Sequence, residues 1–379
     1  MKTHLPPVRV STSMYDAFDE HARQSIEAVR HTADDGTPIF YPDGSGQYEA
    51  VWTRDFCYMV EGAGHLMDPV EILGCIDFLI AGQREDGTVP DRVEADGTPV
   101  YYAGPVDNPL GSKPPSDNPM FLAKLVCAYA KLASDPDTLD RHMQAIVQGM
   151  DTVPLSRDGL VFIDPNSPHP GYGFTDCIAK TGKVFFSSLL YWQACKLLGQ
   201  TCADFEYHDD AHFWYERVAD LEENFDQFRD DHLGIYMAAT KTCRQFDIWG
   251  NAYAAVIRAI SKTRAKRLGE LFIDWYPDFI FAGCIRHLTI DETWEQLLAD
   301  VEPNTYQNGG FWPLPTGWVA RTIARVDEGI ARMLLDDLLV EFDEHGVSEW
   351  VTPETRKLKN YAAAAATVLQ CIEPSKNVV

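Results

Sequence analysis

Gly171-Tyr-Gly-Phe-Thr-Asp176-Cys-Ile-Ala-Lys-Thr-Gly182 is the stretch around which the rest of the chain is organised. It closes in a polar turn and runs straight into an apolar segment, 184–198. Alone, it is a loop that carries one acidic residue to the mouth of a helix. It is also one of six similar junctions in 379 residues. Asp55, Asp117, Asp176, Asp247, Trp312 and Glu349 each stand in an acidic or aromatic turn ahead of a helical segment. The intervals between them are 62, 59, 71, 65 and 37 residues, which suits a helical hairpin with its loops.

Apolar periodicity and breaker residues predict helices over about 14–32 (capped by Ser13), 69–83, 117–133, 137–151, 183–199, 207–229, 264–274 (capped by Thr263), 328–344 and 358–372, with a second helix that residues 49–56 lead into and that ends near 66, and an eighth that residues 245–251 open and that ends near 261. A tenth helix, ahead of the last two, is opened by the turn 306–318, and 160–163 reads as a short strand. The six junctions all fall before even-numbered helices. The predicted fold is therefore all-α: an (α/α)6 toroid barrel of about twelve helices. It is formed by residues 1–379 as a single domain, with minor short strands in its loops. The even helices form the inner ring, and their N-termini face one end. Those N-termini carry unpaired N–H groups and a positive dipole end, worth roughly 0.3–1 kcal/mol to a nearby carboxylate. The bland alternative is that each Asp simply caps its helix.

Composition narrows the function. A hydrophobic content of 45% with 12% aromatics supports a large core. The net charge of −25, from 57 acids against 32 bases, repels phosphate backbones and excludes nucleic acid as a partner. No apolar run is long enough to span a membrane, and the opening Met1-Lys-Thr-His-Leu-Pro-Pro lacks the apolar centre of a signal peptide. Nine scattered cysteines form no C-x-x-C pair, so free thiols and a cytoplasmic location are expected. The histidines show no H-x-x-x-H or H-E-x-x-H pattern and the glycines no phosphate loop, so neither metal nor cofactor is expected. Acids and aromatics gathered in loops suit a small, neutral, hydroxyl-rich ligand. A homo-oligomer is compatible with all of this. The loop 84–116 is long enough to wall such a pocket.

Hydrolysis of a glycosidic bond with inversion needs a protonated carboxyl on one face of the sugar and an ionised one on the other. They stand about 6.5–9.5 Å apart, with room for water.

Trp52-Thr-Arg-Asp55-Phe56 resembles the W-[TV]-R-D junction of glucoamylases, neutral invertases and related six-hairpin glycosidases. Gly173-Phe-Thr-Asp176 sits where neutral invertases and family 63 glucosidases carry their acid. Asn308-Gly-Gly-Phe-Trp312-Pro resembles the N-G-x-x-W-P turn of these barrels. Ser348-Glu349-Trp, followed by Pro353-Glu-Thr and Lys359-Asn-Tyr-Ala-Ala, resembles their final junction, where the base lies. The chain departs from glucoamylases in having Asp176 where they use a glutamate, and it lacks the β-domain that many relatives carry ahead of the barrel.

The resemblance implies that Asp176 is the general acid and Glu349 the general base of an exo-acting, inverting glycosidase, with Asp55 and Glu354 in reserve. An aspartate acid needs a raised pKa, so Phe174 and other aromatics are expected around it. Arg54 and Asp55 would hold sugar hydroxyls or close a structural ion pair. Asp117 and Asp247 would bind hydroxyls or cap helices. Trp52, Phe56, Trp249, Asn308, Phe311, Trp312 and Trp350 complete the expected sugar contacts, and Lys180 would reach a charged substrate group. Two other readings compete. One is a sugar epimerase or isomerase on the same barrel, which would work through histidines; His169 is the nearest. The other is a non-catalytic sugar-binding protein.

Overall fold

The computed structural model describes residues 5–219, 221–376 and 378; the first four residues, on which the leader reading partly rests, lie outside them. Twelve helices of eight residues or more occur among the described residues. They are α1 Thr12–Ala28, α2 Thr53–Ala63, α3 Pro69–Ala81, α4 Asn118–Ala133, α5 Pro136–Asp151, α6 Phe185–Asp204, α7 His208–Glu216, α8 Ile248–Val256, α9 Lys262–Asp274, α10 Thr316–Ile323, α11 Glu328–His345 and α12 Ala362–Leu369. The even helices pack in a closed ring, α2 on α4, α4 on α6, and so on through α12 back to α2. The odd helices pack outside them, α3 and α5 on α4, α7 on α6, α9 and α11 on α10, and α1 on α12. This is the (α/α)6 toroid expected from the junction spacing.

The two rings differ as their sequences require. Inner helices are buried nearly all round, as in α8, where all nine residues are buried. Outer helices keep one apolar face, and five of the six start at capping residues: Ser11, Asp68, Asp135, Ser261 and Asp327 accept bonds from the first-turn N–H groups, while α7 has no side-chain cap. Ser11 and Ser261, rather than Ser13 and Thr263, hold these positions in α1 and α9. Five of the six inner helices have no side-chain cap; Asp247 alone caps, accepting from Gly250 N–H. Simple capping therefore does not account for the acidic junctions.

Some helix bounds differ from expectation. The 207–229 helix ends at Glu216 and is followed by a single turn, Leu221–Asn224, and a 3₁₀ segment, Phe225–Phe228. The last helix begins at Ala362 because Arg356–Lys359 pairs instead with Ser348–Val351 in a β-hairpin. The run Ala362–Ala366 lets α12 press against α2. At Gly62 a Cβ would stand 1.9 Å from the Ala366 carbonyl oxygen, so only glycine fits there. Val8–Val10 pairs in parallel with Ile372–Pro374 and joins the two ends of the described chain. No described helix is long and apolar enough to cross a membrane.

Aromatic side chains in the interior of the ring surround the ion pair of Lys124 and Glu61. Lys124 Nζ lies 3.3 Å from Glu61 Oε2 and donates to the Tyr253 hydroxyl at 3.1 Å. Tyr253 in turn donates to Gln193. Burial opposes the charge on Lys124, but Glu61 and Tyr253 outweigh it and hold its pKa above the usual lysine range. Removing one partner of a buried pair leaves the other desolvated and unmatched. Lys124→Ala is therefore expected to lower stability by about 2–4 kcal/mol. The apolar replacement Lys124→Met with Glu61→Leu is expected to cost less, and denaturant unfolding of both variants checks this.

Candidate active site

A cavity of about 530 Å³ opens at the end of the ring where the inner N-termini lie. Asp55, Asp176 and Glu349 all border it, with Trp52, Arg54 and Phe174. Each carboxylate reaches it by a different route. Asp55 stands in the first turn of α2. Asp176 follows the 3₁₀ turn Gly173–Thr175, well before α6 begins at Phe185. Glu349 sits in the strand Ser348–Val351, well before α12. Of the three, then, only Asp55 lies within reach of a helix dipole, which fades beyond the first turn.

Local bonding fixes these positions. The Asp176 loop is pinned by Ala179 N–H to Gln296 O (3.0 Å) and Leu298 N–H to Cys177 O (2.7 Å). Gln307 clasps it: its amide donates to Asp176 Oδ1 (2.9 Å) and Gly173 O (3.2 Å), and its Oε1 accepts from Cys177 N–H (2.9 Å). The Glu349 hairpin is tied to α11 by a bidentate pair, Arg356 Nε and Nη2 to Glu341 at 2.7 and 2.9 Å. Its other edge exchanges bonds between Val351 and Phe311. The Tyr361 hydroxyl donates to Asp55 Oδ1 at 2.6 Å, and the Tyr48 hydroxyl donates to Glu349 Oε1 at 3.1 Å.

The three carboxyls are buried, and none has an ion-pair partner among the described residues. Desolvation is the main reason their pKa values rise. It pushes Asp176 up to about 6, with Asp91 adding and Arg54 and Gln307 opposing. It pushes Asp55 up to about 7 against the pull of Tyr361 and Arg54. Glu349 rises well above the usual carboxylate range through burial, then the charges of Asp55 and Asp176. Glu349 feels the charges of both Asp55 and Asp176, so these groups titrate together and share protons near neutral pH.

Nine expected contact residues stand behind the wall and not on it: Phe56, Asp117, Lys180, Asp247, Trp249, Asn308, Phe311, Trp312 and Trp350. Phe56 is fully buried beside Phe40. Asp117 does not cap α4; it accepts from Arg54 Nε (3.2 Å) and Gly173 N–H (2.8 Å). Lys180 pairs with Asp247 at 3.2 Å, so neither is open to a substrate. Asn308 is occupied by Trp294 N–H and Val301 O, both at 3.0 Å. Trp249 stacks on His287 at 3.7 Å, and Trp312 supports Phe174 edge-on at 6.0 Å. Phe311 packs on Phe281, and Trp350 on Tyr306. Trp249 and Trp312 are fully buried and serve as packing in the core. Glu354 lies exposed in the hairpin turn, where it accepts from the Thr352 hydroxyl at 3.1 Å.

Arg54 borders the cavity but is held in the ion-pair arrangement, between Asp91 and Asp117 and against Asn118 Oδ1 (2.8 Å). Gly173 makes room for it, since a Cβ there would stand 1.9 Å from Arg54 Nε. Residues missed from sequence include Tyr48, Arg92, Cys177, Tyr306, Gln307 and Tyr361, all on the wall. Tyr361 lies inside a motif already quoted, and Gln307 lies in the turn 306–318, directly before Asn308; Tyr48, in a plain loop, gave no signal. Part of the loop 84–116 forms one wall, through Arg92, Glu94, Gly104, Pro105 and Leu110. Among the described residues no three His, Cys, Asp or Glu side chains are grouped to hold a metal ion.

Known structures share this architecture. An uncharacterized conserved protein from Thermus thermophilus is similar with a TM-score of 0.67 at 16% identity, over 93% of this chain and 99% of that one. A GH63 mannosylglycerate hydrolase from the same organism, in complex with glucose, gives 0.66 at 17% identity, over 93% and 99%. A rhamnosidase from Klebsiella oxytoca with rhamnose bound gives 0.65 at 12% identity, over 97% of this chain and 65% of that one. No protein-family model and no curated protein sequence matches the chain. At these identities the likeness is one of fold: the class is the (α/α)6 toroid that six-hairpin glycosidases use.

Two measurements follow from this geometry. Gln307 stabilises the ionised form of Asp176, so Gln307→Leu is expected to move the Asp176 pKa above about 6, read by carboxyl carbon NMR. The second concerns stability. Asp176 keeps its proton to about pH 6 in the fold but loses it near 3.8 when unfolded. The folded state binds more protons in that window, so stability falls as pH rises through it. Asp176→Asn cannot ionise and is expected to unfold later than the parent above pH 6, by about 1–3 kcal/mol, with no gain below about pH 4. Denaturant melts at both pH values test this.

Proposed function

We propose that the chain is an exo-acting, anomer-inverting glycoside hydrolase that cleaves an α-glucoside-like bond in a di- or short oligosaccharide. The observation that carries this reading is the meeting of Asp176 and Glu349 at one cavity, from the third and sixth hairpins, with no ion-pair partner for either among the described residues. Carboxyls with raised pKa values in such a cleft suit proton transfer near neutral pH. Solved neighbours with the same ring are glycosidases by their descriptions, which adds to the reading.

In this mechanism Asp176, protonated, gives its proton to the glycosidic oxygen as the bond to the anomeric carbon breaks. Glu349 must be ionised for its part: in the reactive form the proton shared near neutral pH rests on Asp176, and Glu349 removes a proton from a water that attacks the opposite face of the sugar. The product's anomeric configuration is thereby inverted. Gln307 and Cys177 hold Asp176 Oδ1, so Oδ2 is the oxygen left to carry the proton. The Tyr48 hydroxyl supports the ionised form of Glu349. Asp55, braced by Tyr361, and Trp52 would grip and floor the sugar. The wall from loop 84–116 would favour a chain end over a mid-chain cut. Nine unpaired, buried cysteines fit a protein working in the reducing cytoplasm.

Glycosyl fluorides separate the two roles, because fluoride leaves without a proton. Asp176→Asn is expected to lose about 10²–10⁴-fold on a disaccharide but far less on the matching fluoride. Glu349→Gln is expected to fail on both. The opposite pattern would exchange the roles, and a first product with retained configuration by proton NMR would exclude inversion.

A further inference from the structure

We propose that the mouth of the cavity selects by charge: it admits glycosides whose leaving group is uncharged or amine-bearing and turns away those bearing a carboxylate or phosphate, with Glu49 and Glu94 as the discriminating residues. The proposal rests on the glycoside hydrolase reading and adds to it a substrate class.

Among the described residues the cavity wall holds two cations, Arg54 and Arg92. Both are already matched. Arg54 is buried between Asp91 and Asp117. Arg92 Nε pairs with Glu94 at 3.2 Å, and its Nη1 lies 3.7 Å from Asp91 and 3.4 Å from Gly104 O. Its guanidinium also lies over the Trp52 ring at 4.8 Å. A substrate anion would have to compete with Asp91 and Asp117 for Arg54, and with Glu94 and Asp91 for Arg92.

The same wall carries five carboxyl groups: Glu49, Asp55, Glu94, Asp176 and Glu349. The deep three surround the position where bond cleavage is proposed. Glu94 is half-buried and Glu49 exposed, in contrast to the buried three. Glu49 is exposed and has no ion-pair partner among the described residues. A leaving group that reaches past the deep carboxyls therefore meets acid. An ammonium group gains there, a hydroxyl is indifferent, and an anion is repelled.

Three glucosides with leaving groups of equal size test this: glucosylglycerol, glucosylglycerate and the 3-amino-1,2-propanediol glucoside. At low salt the parent enzyme is expected to give kcat/KM values for the neutral and amine compounds at least about tenfold above that for the glycerate. The gap should narrow at high salt, because charges at an open mouth are screened. It should also narrow in Glu49→Gln and in Glu49→Gln/Glu94→Gln; the single variant changes an exposed side chain and keeps the Arg92 pair. A glycerate compound used as well as the neutral one, or a gap untouched by both variants, overturns the proposal. Calorimetric binding of the same three compounds to Asp176→Asn separates the two claims. Weaker glycerate binding without turnover by the parent would sink the hydrolase reading and leave charge selection standing. Equal binding, or no binding by any of the three, would sink charge selection.

Discussion

One buried guanidinium ties the site together. Arg54, at the start of α2, is clamped between Asp91 from the long loop and Asp117 at the head of α4. Asp117 also receives Gly173 N–H, and Gly173 offers no side chain so that Arg54 can lie against it. Four separate stretches of chain thus converge on one cation. A buried charge is tolerable only when such partners surround it. That requirement sets the spacing of the Asp55 turn, the loop wall and the Asp176 loop.

The cost of this arrangement falls on the neighbouring carboxyls. Arg54 is saturated by Asp91 and Asp117, so Asp55, Asp176 and Glu349 receive hydroxyl, amide or thiol donors only. Burial without a counter-charge raises their pKa values and keeps protons in the cavity near neutral pH. The same imbalance gives the mouth its sign. Chemistry that needs a stored proton and selection against anions both follow from where the cations are tied.

The (α/α)6 ring was legible because the first five junctions recur at intervals of 59 to 71 residues, the length of a helical hairpin with its loops, and each inner helix opens on an acidic or aromatic turn. The local physics behind that pattern was read less well. The helix-dipole argument fits Asp55, in the first turn of α2, but not Asp176 or Glu349, which lie in a 3₁₀ turn and a β-hairpin away from any helix start. Capping, the competing explanation, fits Asp247 alone of the inner junctions. The aromatic residues expected to stack on sugar, Trp249 and Trp312 above all, are packing material in the core.

The sequence by itself determined the helix count, the alternation of inner and outer helices, and the five carboxyl-bearing junctions, because each is written in local periodicity and spacing. Only the tertiary structure decided which polar side chains face the cavity and which are consumed behind it. Asp117 and Asp55 look alike in the chain, yet one is locked to Arg54 and the other is not. Tyr48, Gln307 and Tyr361 reach their carboxyl partners across 301, 131 and 306 residues. No short-range pattern encodes such contacts; closing the ring creates them.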